Sequence, residues 1–420
     1  MVKSRARIAD RPHAQRGFGL IEVMIGLVIG LIAVLVIYQV YTVSEGFKRN
    51  TTAAGEAQQT GLFSAFMLGI ELGNAGAGIA VASQALASCN DPGGTMPMRF
   101  AQSWRPLPVV VADSGDPSKP DTFVVSYSMT TTIASSGLSE AAGAALFTAS
   151  PASASSDFQV ASPGGFHAND LVVGTVAPGS PTAATPCATS RITATPTLTN
   201  DVQGDVTIKQ TPVDPAGGPA IPFAGAQSTL LNLGPCDRVQ KVMYSVALAN
   251  DSAGNKSKWD YHPACGPLTP CVLFSTPLLD TQGNKCGKPA DPFVGNPMAV
   301  NVVNLKVQYG IDTDQDKART LDTWVPATGA WSWDTLMQGT TTVPTISQIK
   351  AVRIGIIVQS EQFDQTLGDY TWVMFDCASK VCPGRLTGTI AAQTTPPTGN
   401  WRYRKYETVI PLRNSIWNRF

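Results

Sequence analysis

The sequence predicts an α+β fold: a long N-terminal helix packed on an antiparallel β-sheet head with long loops. Three features carry that expectation. A charge-poor apolar stretch opens the chain, an amphipathic pattern of helical period extends it, and period-2 apolar alternation recurs beyond residue 90. The 420 residues suffice for a sizeable core, and 38 glycines with 31 prolines suit turn-rich β structure. Only 14% of residues are charged, and 30 Lys+Arg balance 30 Asp+Glu, so no net field points to nucleic acid. With His13, His167 and His262 the only histidines, a multi-histidine metal enzyme is excluded.

The N-terminus is the most informative segment. Lys3, Arg5, Arg7, Arg11 and Arg16 stand against Asp10 within residues 1–17. An apolar stretch then runs from 18 to 43 and, as a helix, rises roughly 39 Å, enough to cross a hydrocarbon core of about 30 Å. The basic flank comes first, which keeps the N-terminus cytoplasmic and sends the remainder across. A secretory signal peptide needs a shorter apolar core ended by a small-residue cleavage site. A plain anchor leaves Glu22 unexplained, because a carboxylate in an apolar span is expensive and marks function by default. Gly26 and Gly30 form a G-x-x-x-G that permits close helix approach.

The helical pattern continues past Val43. Phe63, Phe66, Met67 and Ile70 recur at i, i+3, i+4 and i+7 beside Leu62, which predicts a stripe packed against a sheet. The glycine-rich run 73–78 ends the helix. Strands are expected at 123–129, 303–309 and 352–358, each alternating as a half-buried antiparallel strand does. Shorter candidates lie at 170–176, 191–198, 239–248, 271–275, 370–375 and 403–411. Segments 130–165 and 177–220 are rich in Ala, Ser, Thr, Pro and Gly and read as loops or insertions.

The run Arg16-Gly17-Phe18-Gly19-Leu20-Ile21-Glu22 resembles the prepilin signal of type IV pilins and type II secretion pseudopilins. The resemblance implies cleavage by a prepilin peptidase between Gly17 and Phe18, N-methylation of Phe18, and a role for Glu22 in assembly. The physical reason for Glu22 stands on its own. Cleavage creates a cationic amine at Phe18, and a neighbouring subunit's carboxylate can pair with it where apolar helices bundle in low dielectric. Further matches point to minor pilins of the PilW family. They are the strand before Tyr309-Gly310-Ile311-Asp312-Thr313-Asp314, the run Ala351–Ile356, and the closing segment Tyr403–Asn414. The fold class then sharpens to type IV pilin-like. Its parts are a basic leader over 1–17, a membrane and filament-core helix over 18–43, an amphipathic spine over 44–75, and a β-rich periplasmic head over 76–420. Loop-rich insertions fall at about 130–220.

The resemblance also implies partners: other minor and major pilins, the prepilin peptidase, the inner-membrane assembly platform, and a large tip protein. It implies residence in the inner membrane, with the head periplasmic, and then in the pilus. A J-class type II secretion pseudopilin and a membrane-tethered adhesin are the alternatives.

Eight cysteines lie beyond the anchor, and an oxidising periplasm makes disulfides the leading reading. Cys377 with Cys382, and Cys265 with Cys271, are local candidates, while C-x-x-C spacing is absent. Asp312, Asp314 and Asp316 alternate as oxygen ligands of a calcium loop do, although Lys317 stands where an EF-hand needs glycine. Asp322 is a further carboxylate within reach. Arg402, Arg404, Lys405, Arg413 and Arg419 interleave with Trp401, Tyr403, Tyr406, Trp417 and Phe420. That pattern suits single-stranded nucleic acid, but a final strand with a charged face is the favoured reading. No nucleophile motif such as G-x-S-x-G occurs, so no enzyme is expected.

Overall fold

Helix α1 runs from Leu20 to Asn74. The structure, a computed structural model, describes residues 19–79, 86, 89, 93–105, 107–128, 144–149, 151, 153, 155–161, 165–175, 187–196, 206–213, 228–248, 271–314, 321–337, 346–376 and 384–414. The chain divides into two compact units, Met1–Ala53 and Ala54–Phe420, with the division inside α1. In the first unit residues 20–44 are exposed and carry one charge, Glu22, as a helix that meets lipid or other helices requires. By length and composition α1 is the one helix among the described residues able to cross a membrane.

The second unit holds two antiparallel sheets that share a core. In the first, β1 (Val109–Ala112), β2 (Thr122–Ser128), β10 (Val239–Leu248), β11 (Cys271–Pro277) and β12 (Asn296–Val300) lie in the order β1-β2-β10-β11-β12. In the second, β14 (Thr323–Pro326), β13 (Val302–Ile311), β15 (Ile349–Asp364) and β18 (Asn400–Pro411) lie in the order β14-β13-β15-β18. The expected strands at 303–309 and 352–358 fall within β13 and β15, and that at 123–129 is β2 as far as Ser128, with residue 129 outside the described residues. A hairpin of β16 (Tyr370–Met374) and β17 (Leu386–Ile390) lays Trp372 and Met374 on Val303, Ile357 and Tyr403.

That cover corrects one expectation. The polar members of the β13 alternation were expected on a solvent face, yet β13 is buried along its whole length. Each polar side chain has a partner within the protein instead. Asn304 donates to the Pro117 carbonyl (2.9 Å) and Gln308 to the Gly384 carbonyl (2.7 Å). Lys306 Nζ lies 2.8 Å from Asp121 Oδ1 and also bonds Ser114 Oγ and the Asp116 carbonyl. The other Asp121 oxygen accepts the Val307 N–H (3.0 Å), and the Asp121 N–H donates to the Leu305 carbonyl (2.7 Å).

The segments read as loops contain a β-barrel. They hold β3 (Ala144–Ala149), β4 (Phe158–Val160), β6 (Ala188–Ile192), β7 (Val206–Ile208) and β8 (Gln210–Pro212); β5 (Asp170–Thr175) lies between them as the strand expected at 170–176, and β9 (Thr229–Pro235) follows. The order is β7-β4-β3-β9-β5-β6-β8. The end strands β7 and β8 are consecutive in the chain, separated by Lys209, whose carbonyl accepts the Thr193 N–H (2.9 Å). One extended segment therefore pairs with β4 at one end and β6 at the other, and closes the sheet on itself. Phe147, Phe158, Phe166, Val172, Ile192 and Leu230 fill the interior. Leu171, Val173, Leu231 and Leu233 point outward from β5 and β9 into the core of the head. The expected strand at 191–198 is β6, shifted toward the N-terminus.

Two disulfides bracket this barrel. Cys89–Cys187 ties the segment after α1 to the start of β6, and Cys236–Cys286 ties the end of β9 to the turn before β12. A further buried cation, Lys241, caps the short helix α2 (Met98–Gln102) through the carbonyls of Phe100, Ala101 and Ser103, with its ammonium 3.6 Å from the Trp104 ring centre.

Lys306→Met should leave Asp121 buried without its counter-charge and destabilise the head by roughly 3–5 kcal/mol. The paired change Asp121→Leu with Lys306→Met should recover part of that loss. Urea unfolding of the wild type, the single variant and the pair checks both outcomes.

Candidate assembly surface

Helix α1 starts one residue after Gly19, whose carbonyl accepts the N–H groups of Glu22 (3.0 Å) and Val23 (3.2 Å). Glu22 thus sits in the first turn, where the dipole of the helix favours a negative charge. Gly17 and Phe18 lie outside the described residues. Around Gly26 and Gly30 no atom stands within 4 Å of an added Cβ, so that face of the helix is open.

The spine corrects a second expectation. Phe63, Phe66 and Ile70 were placed against the sheet with Met67, but Phe63, Phe66 and Ile70 are exposed, as is Leu62. Phe66 retains 65% of its accessible surface. The buried face instead runs through Ala57, Gly61, Ser64, Leu68, Leu72 and Ala75. The reason is the distance of approach. The Tyr406 ring of β18 lies on Gly61, and a Cβ there would stand 1.9 Å from Tyr406 Cε2. Around that approach the helix presents the small Ala57, Gly61 and Ser64 inward and leaves Leu62, Phe63 and Phe66 outside, while Leu68 and Leu72 enter the core further along. The signal for this face was present as alanine, glycine and serine recurring at i+4 and i+3, but larger apolar residues outweighed it.

Polar contacts hold the upper spine. Tyr127 of β2 donates to Glu71 Oε2 (3.0 Å), and burial together with the Glu71 charge holds the Tyr127 phenol well above its usual range. Burial does the same to Tyr244, which also faces Glu71. Asn414 Nδ2 bonds the Asn74 and Ala75 carbonyls that the helix end leaves open. Gly76, at φ 77°, turns the chain away, and its N–H pairs with the Ser126 carbonyl (2.8 Å).

The acidic loop assembles differently from the sequence pattern. Carboxylate oxygens of Asp312, Asp314 and Asp322 lie within 4.8 Å of one another, while Asp316 lies outside the described residues. Asp312 is buried, and Asp322 accepts the Thr313 hydroxyl (2.6 Å) and N–H (2.7 Å), which lower its pKa. Cys271 is disulfide-bonded, and Cys265, Cys377 and Cys382 lie outside the described residues. In the tail, Arg402 pairs with Asp364 (2.7 Å), Lys405 pairs with Glu407 (2.7 Å), and Tyr403 is buried. Those groups serve the strand itself. His167 is exposed and meets Asp170 Oδ2 at 3.7 Å, with its backbone N–H bonded to the same carboxylate.

Two family models match the chain. The prokaryotic N-terminal methylation motif matches residues 12–38, and type IV pilus-assembly protein W matches residues 275–414. The two matches support a PilW-family type IV pilin with a prepilin-type signal. Its prepilin-type signal and its C-terminal sheet are the matched parts, and no curated protein and no solved structure matches. The PilW match spans β12 to β18, whereas the barrel and β1, β2 and β10 fall outside it. Asp121–Lys306 is therefore a bond between an unmatched and a matched segment of this pilin.

Gly61→Ala should destabilise the spine contact by roughly 1–3 kcal/mol through overpacking against Tyr406. Combined with Tyr406→Ala the cost should not add, and a double-mutant cycle should return a coupling of about 1 kcal/mol or more. Thermal unfolding of the four proteins measures it.

Proposed function

We propose that this PilW-family pilin is a minor pilin that primes type IV pilus assembly near the filament tip. Cleavage between Gly17 and Phe18 by a prepilin peptidase and N-methylation of Phe18 precede its incorporation. The head stands in the periplasm while residues 18–43 hold the chain in the inner membrane. Minor and major pilins, the assembly platform and a large tip protein are its partners.

The observation that carries this reading is Glu22, the one charge in an exposed apolar helix segment, one turn from the processed end. A lone carboxylate there has no use for a membrane anchor and a direct one for a helix bundle, where it neutralises a neighbour's terminal amine. The exposed Leu62, Phe63, Phe66 and Ile70 support it, since large apolar side chains left outside the head await burial against neighbouring subunits. The missing helix-breaking proline around Ile37-Tyr38-Gln39 fits a minor subunit.

N-terminal peptide mass of the protein expressed with its host peptidase should show a chain starting at methylated Phe18. A chain retaining residues 1–17 beside an active peptidase overturns the processing step. Glu22→Ala should leave membrane insertion intact and abolish incorporation, read as loss of the protein from sheared filaments. Normal piliation by that variant removes the role assigned to Glu22.

A further inference from the structure

A sheet edge is a row of unpaired N–H and C=O groups, and proteins normally blunt it. This chain does so with care. The barrel has no edge, because β7 and β8 close it. The outward Val111 N–H of β1 donates to the Tyr309 hydroxyl (2.6 Å), and the outward Val307 N–H of β13 donates to Asp121. Strand β12 carries Pro297, and β14 is four residues long and ends in Pro326.

The β16–β17 hairpin has edges of five residues, and β18 is the longest edge among the described strands. It is twelve residues long and, among the described strands, pairs with β15 alone. The Leu412 N–H donates to the Lys350 carbonyl (2.9 Å), and pairing is one-for-one from Ala351–Pro411 to Val358–Arg404. Alternation then turns the backbone groups of residues 404, 406, 408 and 410 inward. Those of Lys405, Glu407 and Val409 point outward, over about 20 Å as far as the Pro411 carbonyl. The edge is not guarded by its charges. Lys405 Nζ reaches the Val373 carbonyl and Glu407, and Glu407 Oε2 accepts the Phe375 N–H (2.9 Å), so both side chains fold onto β16. Val409 remains 57% exposed.

We propose that β18 is a docking edge that receives an extended strand from a different polypeptide. The added strand completes the β14-β13-β15-β18 sheet as a fifth member through three N–H donors and four carbonyl acceptors. Its chemistry follows from the exposed neighbours: an acidic residue beside Arg404 and an apolar one beside Val409, five positions apart and so on opposite faces. A second copy of this chain is the poorer occupant. Antiparallel pairing of two β18 edges about Glu407 sets Arg404 opposite Ile410 and Val409 opposite Lys405, so a second copy supplies neither the acidic nor the apolar neighbour. The inference concerns the head alone and does not rest on the pilus reading.

The test is amide hydrogen exchange of the full chain in detergent micelles. The probe is a terminally blocked seven-residue peptide of alternating valine and threonine with one aspartate. Exchange at Lys405, Glu407 and Val409 should slow by roughly tenfold or more, with residues 404, 406 and 408 unchanged. The same peptide with a central proline should protect nothing. Val409→Pro deletes an outward N–H and spares the ladder, so protection should vanish at an unchanged melting temperature. Val409→Thr should behave as wild type. Unchanged exchange in the wild type at millimolar peptide overturns the proposal, as does full protection in Val409→Pro. Protection that appears without peptide and grows with protein concentration gives the edge to a second copy and overturns the assignment to a different chain.

Discussion

The buried pair of Asp121 and Lys306 is the constraint on which the head depends. Both side chains are almost fully removed from water, and desolvating two charges costs several kcal/mol per ion unless every lone pair and proton finds a partner. Here that requirement dictates local structure. Asp121 sits just before β2, and its carboxylate must reach Lys306, Ser114 and the Val307 N–H together. Meeting all three forces the β1–β2 connection to lie along the open edge of β13. The two sheets are thereby locked in register at a point where neither has a strand partner to offer. The same bond reaches from a segment outside the PilW match to one inside it, so the unmatched half is built into the matched half rather than appended to it.

The barrel shows what a composition rich in Ala, Ser, Thr and Gly conceals. Most of its strands, at three to six residues, are too short to establish a period of two. Their interior positions are filled by a few large residues, Phe147, Phe158 and Phe166, separated by many small ones. The outward faces of β5 and β9 are as apolar as the inward ones because they pack on the head. A strand buried on both sides shows no alternation; β5 was still expected at 170–176, but β9 was not. The long strands β13, β15 and β18 were legible because their alternation runs over seven or more residues. Even there the polar members misled, since Lys306, Gln308 and Asn304 are satisfied by partners inside the protein and not by water.

The candidate site was legible in part for a related reason. A lone Glu22 behind a basic leader and before an apolar run is a local signal, complete within a few residues. The seat of the spine is not local. Whether Phe63 or Gly61 faces the sheet depends on how near the sheet stands, and that is set by Tyr406, hundreds of residues downstream. A hydrophobic count favours the phenylalanines. Steric exclusion at a distance of closest approach favours glycine, and exclusion wins because an overlap cannot be relieved by any gain in burial.

That outcome bears on how such a subunit works. Burying Ala57, Gly61 and Ser64 against the head yields little apolar area, so close fit holds that stretch, while Leu68 and Leu72 with the polar fastenings at Glu71, Asn414 and Gly76 hold the rest. The larger area offered by Leu62, Phe63, Phe66 and Ile70 is left unused within the chain. At about 25 cal/mol per Å² of apolar surface, such area drives association whenever a neighbouring surface covers it. The head is held by contacts within the chain, namely Asp121–Lys306, the shared core and its disulfides. The outer face of the spine is a separate matter, because Leu62, Phe63, Phe66 and Ile70 have no apolar cover among the described residues. The two requirements are thus met by opposite faces of one helix, so covering the outer face asks no change of the inner one.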